Sequence, residues 1–234
     1  MAELTLRRGG VEDSEAVADV HLAARREAAM PTGVHPDDDV RQWLRGRIEG
    51  GDEVWVAETG DGVVGYARLT PGWLDDLYVV PGHARSGVGS ALLDLVKHRH
   101  ADGFCLWVFE MNAPARAFYR RHGLVELEHT DGAANEERSP DLRMAWPGAD
   151  PLAFFRTLVD DVDAQLADLL ARRAALTRAI QPYKASPGRD PEREQEIAAA
   201  MAARAPALGR QRLARILHTI ISESLDAAGD GPGG

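Results

Sequence analysis

The sequence predicts two domains, an α/β or α+β domain followed by an all-helical domain. Strand-like and helix-like segments alternate up to residue 146, whereas the chain beyond residue 151 is rich in the helix formers Ala, Leu, Arg and Glu. The breakers Pro147, Gly148 and Pro151 lie between the two parts. We therefore expect domains at residues 1–147 and 151–228, and a disordered tail at 229–234, because GDGPGG has too little to bury.

The first part contains four segments with the short, β-branched or aromatic composition of strands. They are EVWVAE (53–58), GVVGYARL (62–69), LDDLYVV (74–80) and FCLWVFE (104–110). Helical patterns precede or follow these strands at EDSEAVADVHLAARREA (12–28), GSALLDLVKHRH (89–100) and NAPARAFYRRHG (112–123). Two helices thus come directly after strands, as in an α/β layer.

Composition excludes several classes of protein. The net charge is −10, and neither the acidic first part nor the balanced second part is expected to bind nucleic acid or an anionic membrane. No apolar stretch is long enough to span a bilayer, and MAELTLRRGG lacks a signal-like core, so we expect a cytoplasmic protein. The single cysteine, Cys105, excludes an internal disulfide framework and a Cys-rich zinc site, and we predict no metal centre.

A glycine-bearing loop joins a strand to a helix in LYVVPGHARSGVGSALLDLV (77–96). Such a turn offers backbone N–H groups and the positive end of the helix dipole to a phosphate. A lone GxG is more often only a tight turn, so the loop by itself leaves both interpretations open. A second segment, LWVFEMNAPARAFYRRHG (106–123), follows it as a strand and a helix.

These two motifs together resemble the GNAT N-acetyltransferases, and the resemblance extends over residues 4–146. It implies an acetyl-CoA cofactor whose pantetheine arm pairs with the backbone from Leu77 to Val79. It also implies that Tyr119 is the acid that protonates the thiolate, although periodicity alone makes Tyr119 a core aromatic beside Phe118. The implied pyrophosphate and cofactor contacts are Arg85, Ser86, Gly87, Val88, Gly89, Ser90 and Asn112.

The family pattern is incomplete at two points of this first part. Ala84 stands where the family usually has Arg or Gln, and Arg85 is the expected substitute. The acceptor of the acetyl group is an unknown amine, and the candidates for its general base include Glu110 and Glu53.

The second part reads as three helices, at about 151–184, 191–204 and 208–227. An apolar stripe with spacings of three and four runs along the first helix, and Arg173 lies on it between Leu169 and Leu176. Lys184, 11 residues later, falls on the same face. Arg193 heads an inward row in the second helix, and Ser224 continues one in the third. These cations either form internal salt bridges or line a pocket for a small dicarboxylate.

Residues 152–228 resemble the all-helical chorismate mutases of the AroQ class, through FFRTLVDDVDAQLADLLARRAAL, YKA, RDPERE and IISESL in family order. The resemblance implies a homodimer of intertwined chains that converts chorismate to prephenate without a cofactor. Arg156, about 260° around the helix from Arg173, would serve the partner's site. The other implied site residues are Arg173, Lys184, Asp190, Arg193, Glu194 and Ser224.

Three departures from the mutase pattern concern the group around the breaking ether bond. Ala228 stands where the family usually has Gln or Glu, one turn past Ser224. The connection from Lys184 to Asp190 is about three residues shorter than is common in the family, and Pro182 interrupts the last turn before Lys184.

The leading hypothesis is a chorismate mutase fused to an acetyl-CoA-dependent acetyltransferase domain. A first alternative is a mutase acting on 4-amino-4-deoxychorismate, with acetylation of an amine product. A second is a regulatory protein that binds aromatic metabolites and acetyl-CoA without turnover. A third is an acetyltransferase that its helices merely dimerise.

Overall fold

The computed structural model describes residues 3–183 and 189–229, and it divides the chain into two compact units, 1–155 and 156–234. The division falls inside a helix, a few residues beyond the breakers that mark the boundary in the sequence. Lys184 and all but the first residue of the predicted tail lie outside the described residues.

The first unit is built on a seven-stranded sheet with the order β1-β2-β3-β4-β5-β7-β6. All neighbouring strands are antiparallel except β4 and β5, which are parallel. The strands are Thr5–Arg8, Glu53–Thr59, Gly62–Thr70, Trp73–Val79, Phe104–Phe109, Val125–Thr130 and Asp141–Trp146 for β1 to β7. The four strands predicted from the sequence are therefore present, with ends that differ by one residue, and β1, β6 and β7 are additional.

Helices cover both faces of this sheet. They are Ser14–Glu27 (α1), Asp37–Glu49 (α2), Val88–Arg99 (α3) and Ala113–Arg121 (α4). One core cluster joins α3 and α4 to one face through residues such as Leu92, Val96 and Tyr119. The other joins α1 and α2 to the opposite face through Val17 and Leu44. The sheet is thus the middle layer of three, as burial of apolar side chains on both of its faces requires.

The strands β4 and β5 pair only where they begin, at Trp73 and Cys105. Beyond that pair the two strands no longer pair with each other, so a cleft opens between them. A bulge accompanies the separation: Arg68 of β3 lies opposite Asp76, Leu69 lies opposite Leu74, and Asp75 has no partner. Bulges bend a strand and redirect its side chains, often beside active sites.

The bulge brings two successive carboxylates to one buried cation. Arg68, only 5% exposed, donates from Nε to Asp76 Oδ2 at 2.6 Å and from Nη1 to Asp52 Oδ2 at 2.8 Å. Its Nη1 also lies 4.0 Å from Asp75 Oδ1. In a regular strand Asp75 and Asp76 would face opposite sides of the sheet. The extra residue of the bulge lets both carboxylates reach Arg68, whose guanidinium also stacks 4.9 Å from the Trp43 ring centre.

The second unit contains three helices, Pro151–Ile180 (α5, which begins in the first unit), Pro191–Arg204 (α6) and Arg210–Gly229 (α7). A short 3-10 turn at Gln181–Tyr183 follows α5, so the first helix ends a few residues earlier than predicted, and α7 begins two residues later. Ala198 of α6 packs against Leu217 and Ile221 of α7. By contrast, α5 has no buried residue. No helix among the described residues is both long and apolar enough to cross a membrane.

We expect Arg68→Met to destabilise the first unit by about 3–5 kcal/mol, because it leaves buried carboxylates without their cation. Urea unfolding of the full chain at neutral pH measures this through tryptophan fluorescence, since all five tryptophans lie in the first unit. Arg99→Ala is the matched control: it breaks an exposed ion pair with Glu53, which contributes little. Equal unfolding free energies for Arg68→Met and the wild type would contradict the prediction.

Candidate active sites

A concave site lies in the cleft between β4 and β5 of the first unit. Its walls are Leu77 and Tyr78 of β4, residues 106–109 of β5, and residues of α4 and of the turn before it. On this side the backbone of Leu77 to Val79 has no strand partner, because β5 has already diverged. A ligand arm with its own amides can therefore add to this exposed strand edge, as peptides do in β-augmentation.

The predicted anion-binding turn follows β4 directly. Arg85 and Gly87 have positive φ angles of 62° and 95°, and Gly87 is the N-cap of α3. The N–H groups of the first turn of an α-helix have no acceptors within the helix. In α3 these groups belong to residues that the resemblance assigns to pyrophosphate binding. They are Val88, Gly89 and Ser90.

The side chains of this turn take part in the turn itself. Ser86 Oγ donates to the carbonyl oxygen of His83 at 2.6 Å, and Ser90 Oγ lies 3.2 Å from His122 Nε2. Val88 is buried, and Gly89 lies beside the ring of Phe118. The turn therefore offers an anion its backbone amides and the Arg85 side chain, rather than a cluster of hydroxyls.

Asn112 and Tyr119 both line the cleft, as the resemblance implies. Asn112 caps α4, with its Oδ1 accepting the N–H of Ala115 at 3.2 Å. Tyr119 is 8% exposed and packs edge-on against Phe118 with ring centres 5.3 Å apart. Burial raises the pKa of the Tyr119 phenol above its usual value, with smaller contributions from Tyr78 and Asp76. A phenol in this environment stays protonated at neutral pH and can serve as a proton donor.

Neither sequence candidate for the general base lies along this cleft. Glu53 accepts hydrogen bonds from Arg99 Nε and Trp55 Nε1, both at 2.7 Å, and the Arg99 bond lowers the pKa of its carboxyl. The half-exposed Glu110 side chain lies 3.9 Å from His129 Nδ1. The cleft is lined instead by Asp75 and Asp76, which the sequence analysis did not select because the bulge is invisible in the period-two pattern of a strand.

Asp75 differs from an ordinary surface aspartate. Its side chain is about one-quarter exposed, and burial raises the pKa of its carboxyl, against the lowering effect of Arg68. A carboxylate with a raised pKa is a better proton acceptor than a free aspartate at the same position. At the outer end of the cleft, Arg25 Nη2 donates to Glu137 Oε1 at 2.7 Å.

In the second unit, Arg173 and Ser224 converge on one carbonyl group. Arg173 Nη1 donates to the Ile220 carbonyl oxygen at 3.3 Å, and Ser224 Oγ donates to the same oxygen at 2.6 Å. The sequence prediction that both residues lie toward the inside of the bundle is consistent with their burial, since Arg173 is partly buried and Ser224 is 5% exposed. Ala228 lies one turn further along α7 and is partly buried.

Arg189 is a central residue of this unit that the sequence analysis missed. It donates to both oxygens of Glu194, at 2.7 and 2.6 Å, and to Ser222 Oγ at 2.8 Å. Its Nη2 lies 2.9 Å from His218 Nδ1. The hydrogen bonds from Arg189 lower the pKa of the Glu194 carboxyl. Arg189 precedes the helix, so no helical periodicity could have indicated its direction.

The expectation that Arg193 points inward is wrong for the single chain. Its side chain is 67% exposed and donates to Glu196 Oε2 at 2.9 Å. Asp190 caps α6 by accepting the N–H of Arg193, and the helix then turns Glu194 and Ala198 toward α7. Arg193 is one residue removed from that face, a rotation of about 100°. Arg156 is also exposed.

Comparison with protein-family models gives one match in each part of the chain. Residues 50–126 match the model of the acetyltransferase (GNAT) domain, and residues 155–228 match that of chorismate mutase type II. The peptidyl-lysine N-acetyltransferase YiaC of Escherichia coli is 32% identical over 96 residues, which are 40% of this chain and 62% of YiaC. A mycothiol acetyltransferase of Amycolatopsis mediterranei is 30% identical over 184 residues, 70% of this chain and 58% of that protein.

Solved structures show the fold of the first unit. Apo YjaB from Escherichia coli has a TM-score of 0.53 and 21% identity, covering 63% of this chain and 99% of YjaB. YncA from Salmonella typhimurium, solved with its cofactor acetyl-CoA, has a TM-score of 0.50 and 20% identity, covering 64% of this chain and 96% of YncA. The chain spans between 50% and 62% of the length of the first curated relatives it matches. The chain thus carries a GNAT acetyltransferase domain and, after it, a chorismate mutase type II domain.

Proposed function

We propose that the first unit transfers an acetyl group from acetyl-CoA to an amine, and that the second unit is a chorismate mutase that works as a homodimer. The first proposal rests mainly on one observation: an exposed strand edge and a buried phenol line one cleft, and the turn whose first helical amides are free follows that strand directly. The second rests on Arg173 and Ser224 meeting at one point of a matched mutase domain.

The first unit has groups that suit each part of acetyl-CoA. Backbone groups of Leu77 to Val79 would hold the pantetheine amides, and the first-turn amides of α3 with Arg85 would hold the pyrophosphate. Asn112 lines the cleft beside the strand edge. Bound acetyl-CoA supplies the acetyl thioester, and the protein supplies orientation and proton transfer. Tyr119 would donate the proton that the sulfur takes up as the thiolate leaves.

We expect Tyr119→Phe to reduce kcat for acetyl transfer by about 100-fold or more, because it removes the proton donor. Release of the coenzyme A thiol measures the rate, and calorimetric titration with acetyl-CoA should give an unchanged Kd. Tyr183→Phe, which alters an 89% exposed tyrosine of the other unit, is the control. Equal rates for Tyr119→Phe and wild type would remove Tyr119 from the mechanism, and failure to bind acetyl-CoA would remove the proposed function.

The second unit needs no nucleophile for its reaction. A Claisen rearrangement requires that the reactive conformer of chorismate be held and that negative charge on the ether oxygen be stabilised. Arg173 and the Ser224 hydroxyl suit a substrate carboxylate, since guanidinium groups bind carboxylates in two-point fashion. Asp190 and Glu194 lie at the start of α6, where Arg189 holds Glu194 in place. The proposed roles of Lys184 and Arg193 rest on the resemblance to the mutases alone.

We expect Arg173→Ala to lower chorismate mutase activity by on the order of 1000-fold, since it removes the guanidinium that would bind the carboxylate of the substrate. Loss of chorismate absorbance follows the reaction, and the neighbouring exposed Arg172, changed to Ala, serves as the control. If 4-amino-4-deoxychorismate reacts and chorismate does not, the amino-substituted alternative replaces the leading one. If the wild type binds both compounds without turnover, the second unit is a binding module and Ala228 is the first residue to examine.

Homodimerisation is supported by the outer surface of α5. Val159, Val162, Leu166, Leu169 and Leu176 recur along one side of this helix, and each is about half exposed in the single chain. Their spacing of three and four makes an apolar stripe that a helix of globular protein normally buries. A second copy of α5 and its neighbours would cover that stripe and would bring the partner's Arg156 to the site. The stripe is the strongest argument for the dimer.

We expect Leu169→Glu to dissociate the dimer, because a carboxylate placed in an apolar interface costs several kcal/mol. Light scattering coupled to size-exclusion chromatography measures the mass, and mutase activity should fall together with the dimer fraction. Ala164→Glu, on the other side of α5, is the matched control and should remain dimeric. A monomeric wild-type chain would contradict the proposed assembly, whatever its activity.

A further inference from the structure

The cleft between β4 and β5 is strongly acidic. Of the described residues that line the cleft, four carry carboxylates and one carries a guanidinium. The carboxylates belong to Asp75, Asp76, Glu137 and Asp141, and the guanidinium belongs to Arg25. Arg68 behind the cleft neutralises part of this charge, but it is shared with Asp52 as well. The cleft therefore keeps a net negative charge, and a ligand of the opposite sign is favoured.

The four carboxylates are not equally engaged. Asp76 accepts from Arg68 at 2.6 Å and Glu137 accepts from Arg25 at 2.7 Å. Asp141 accepts from the Thr130 hydroxyl and, at 3.0 Å, from Asn135 Nδ2. Asp75 accepts a hydrogen bond from Thr70, and Arg68 lies 4.0 Å from it, further than the cations bonded to Asp76 and Glu137. Asp75 and Asp141 are thus the cleft carboxylates without a close cation, and of the two Asp75 lies on β4, just before the exposed strand edge of Leu77 to Val79.

Two connecting segments are tied together beside the cleft. Met30, after α1, and Glu137, between β6 and β7, both line the cleft, and Arg25 joins the two sides by its bond to Glu137. A second bond links the same segments where His35 Nε2 lies 2.9 Å from Glu136 Oε2. These ties border a cleft of about 240 Å³, a volume that suits a small acceptor.

We propose that the acetyl acceptor is a small alkyl diamine, whose primary ammonium group is bound and deprotonated by Asp75. This inference rests on the acetyl transfer proposed above and adds the chemical class of the acceptor. Asp75 takes one proton from the ammonium, and the freed nitrogen lone pair forms the amide bond as the carbon–sulfur bond breaks. Tyr119 gives its proton to the departing sulfur and is restored by the second proton that the nitrogen loses.

The same charges disfavour an anionic acceptor. An amine that also carries carboxylates, such as the 4-amino product of the rearrangement of 4-amino-4-deoxychorismate, would place its negative groups among those of the cleft. Like charges at such distances cost binding energy in a partly buried site. The proposal therefore opposes the idea that the first unit acetylates the product of the second.

A matched pair of ligands tests the proposal by binding, without turnover. Calorimetry on the full chain saturated with coenzyme A compares 1,4-diaminobutane with 4-aminobutanoate, which replaces the second ammonium by a carboxylate at similar length. We expect the diamine to bind at least about tenfold more tightly, with the difference shrinking as salt rises. Asp75→Asn should weaken diamine binding by at least about tenfold, while Asp94→Asn, on the exposed side of α3, should leave it unchanged.

Each result separates this proposal from the function on which it rests. If coenzyme A does not bind, the proposed acetyltransferase function fails and the diamine site fails with it. If coenzyme A binds but 4-aminobutanoate binds as well as the diamine, or Asp75→Asn changes nothing, only the acceptor class is wrong. A lysine-containing peptide could also be titrated. If it binds more tightly than every diamine tested, the acceptor is a lysine side chain of a protein, and the proposal of a small-molecule acceptor is wrong.

Discussion

The ion pairs of the buried Arg68 are the interaction on which the site of the first unit depends. A guanidinium that is 5% exposed needs carboxylate partners, and β4 supplies Asp76 directly opposite it. The bulge at Asp75 adds a second carboxylate to the same side and changes the course of β4. From that point β4 and β5 separate, so an exposed strand edge, a cleft and an acidic floor arise together. One buried cation thus links the stability of the sheet to the electrostatics of the cleft.

The second unit is governed by a different constraint, the burial of apolar surface. Among the described residues, α6 and α7 form a buried cluster that includes Ala198, Leu217 and Ile221, whereas the apolar side chains of the α5 stripe are exposed. A three-helix unit with so small a core would gain stability from the association that we propose. The candidate site residues Arg173 and Ser224 lie on α5 and α7, and both donate to the Ile220 carbonyl oxygen. Assembly and catalysis are therefore expected to depend on the same helix.

The sequence predicts those features of the fold that local patterns determine. Short segments rich in β-branched and aromatic residues predict β2 to β5, and the break after Trp146 with the change in composition predicts the helical part. The strand β6 is missed because four of its six residues are polar and its Val125 is exposed. The direction of Arg193 is predicted wrongly because a helical row assigns a face only to within about 100°, the angle of one residue. The role of Asp75 is missed because it depends on a bulge, which only the pairing of two distant strands reveals.

The charges of the two units bear on why one chain carries both. The mutase site is expected to bind a dicarboxylate through arginines, and its product keeps both carboxylates. The acetyltransferase cleft presents Asp75 and its acidic neighbours to whatever enters it. If the second unit releases an anionic product, the acidic cleft of the first unit would repel it. A functional link between the units is better sought in shared assembly, because α5 begins in one unit and carries the exposed apolar stripe that we propose as the dimer interface.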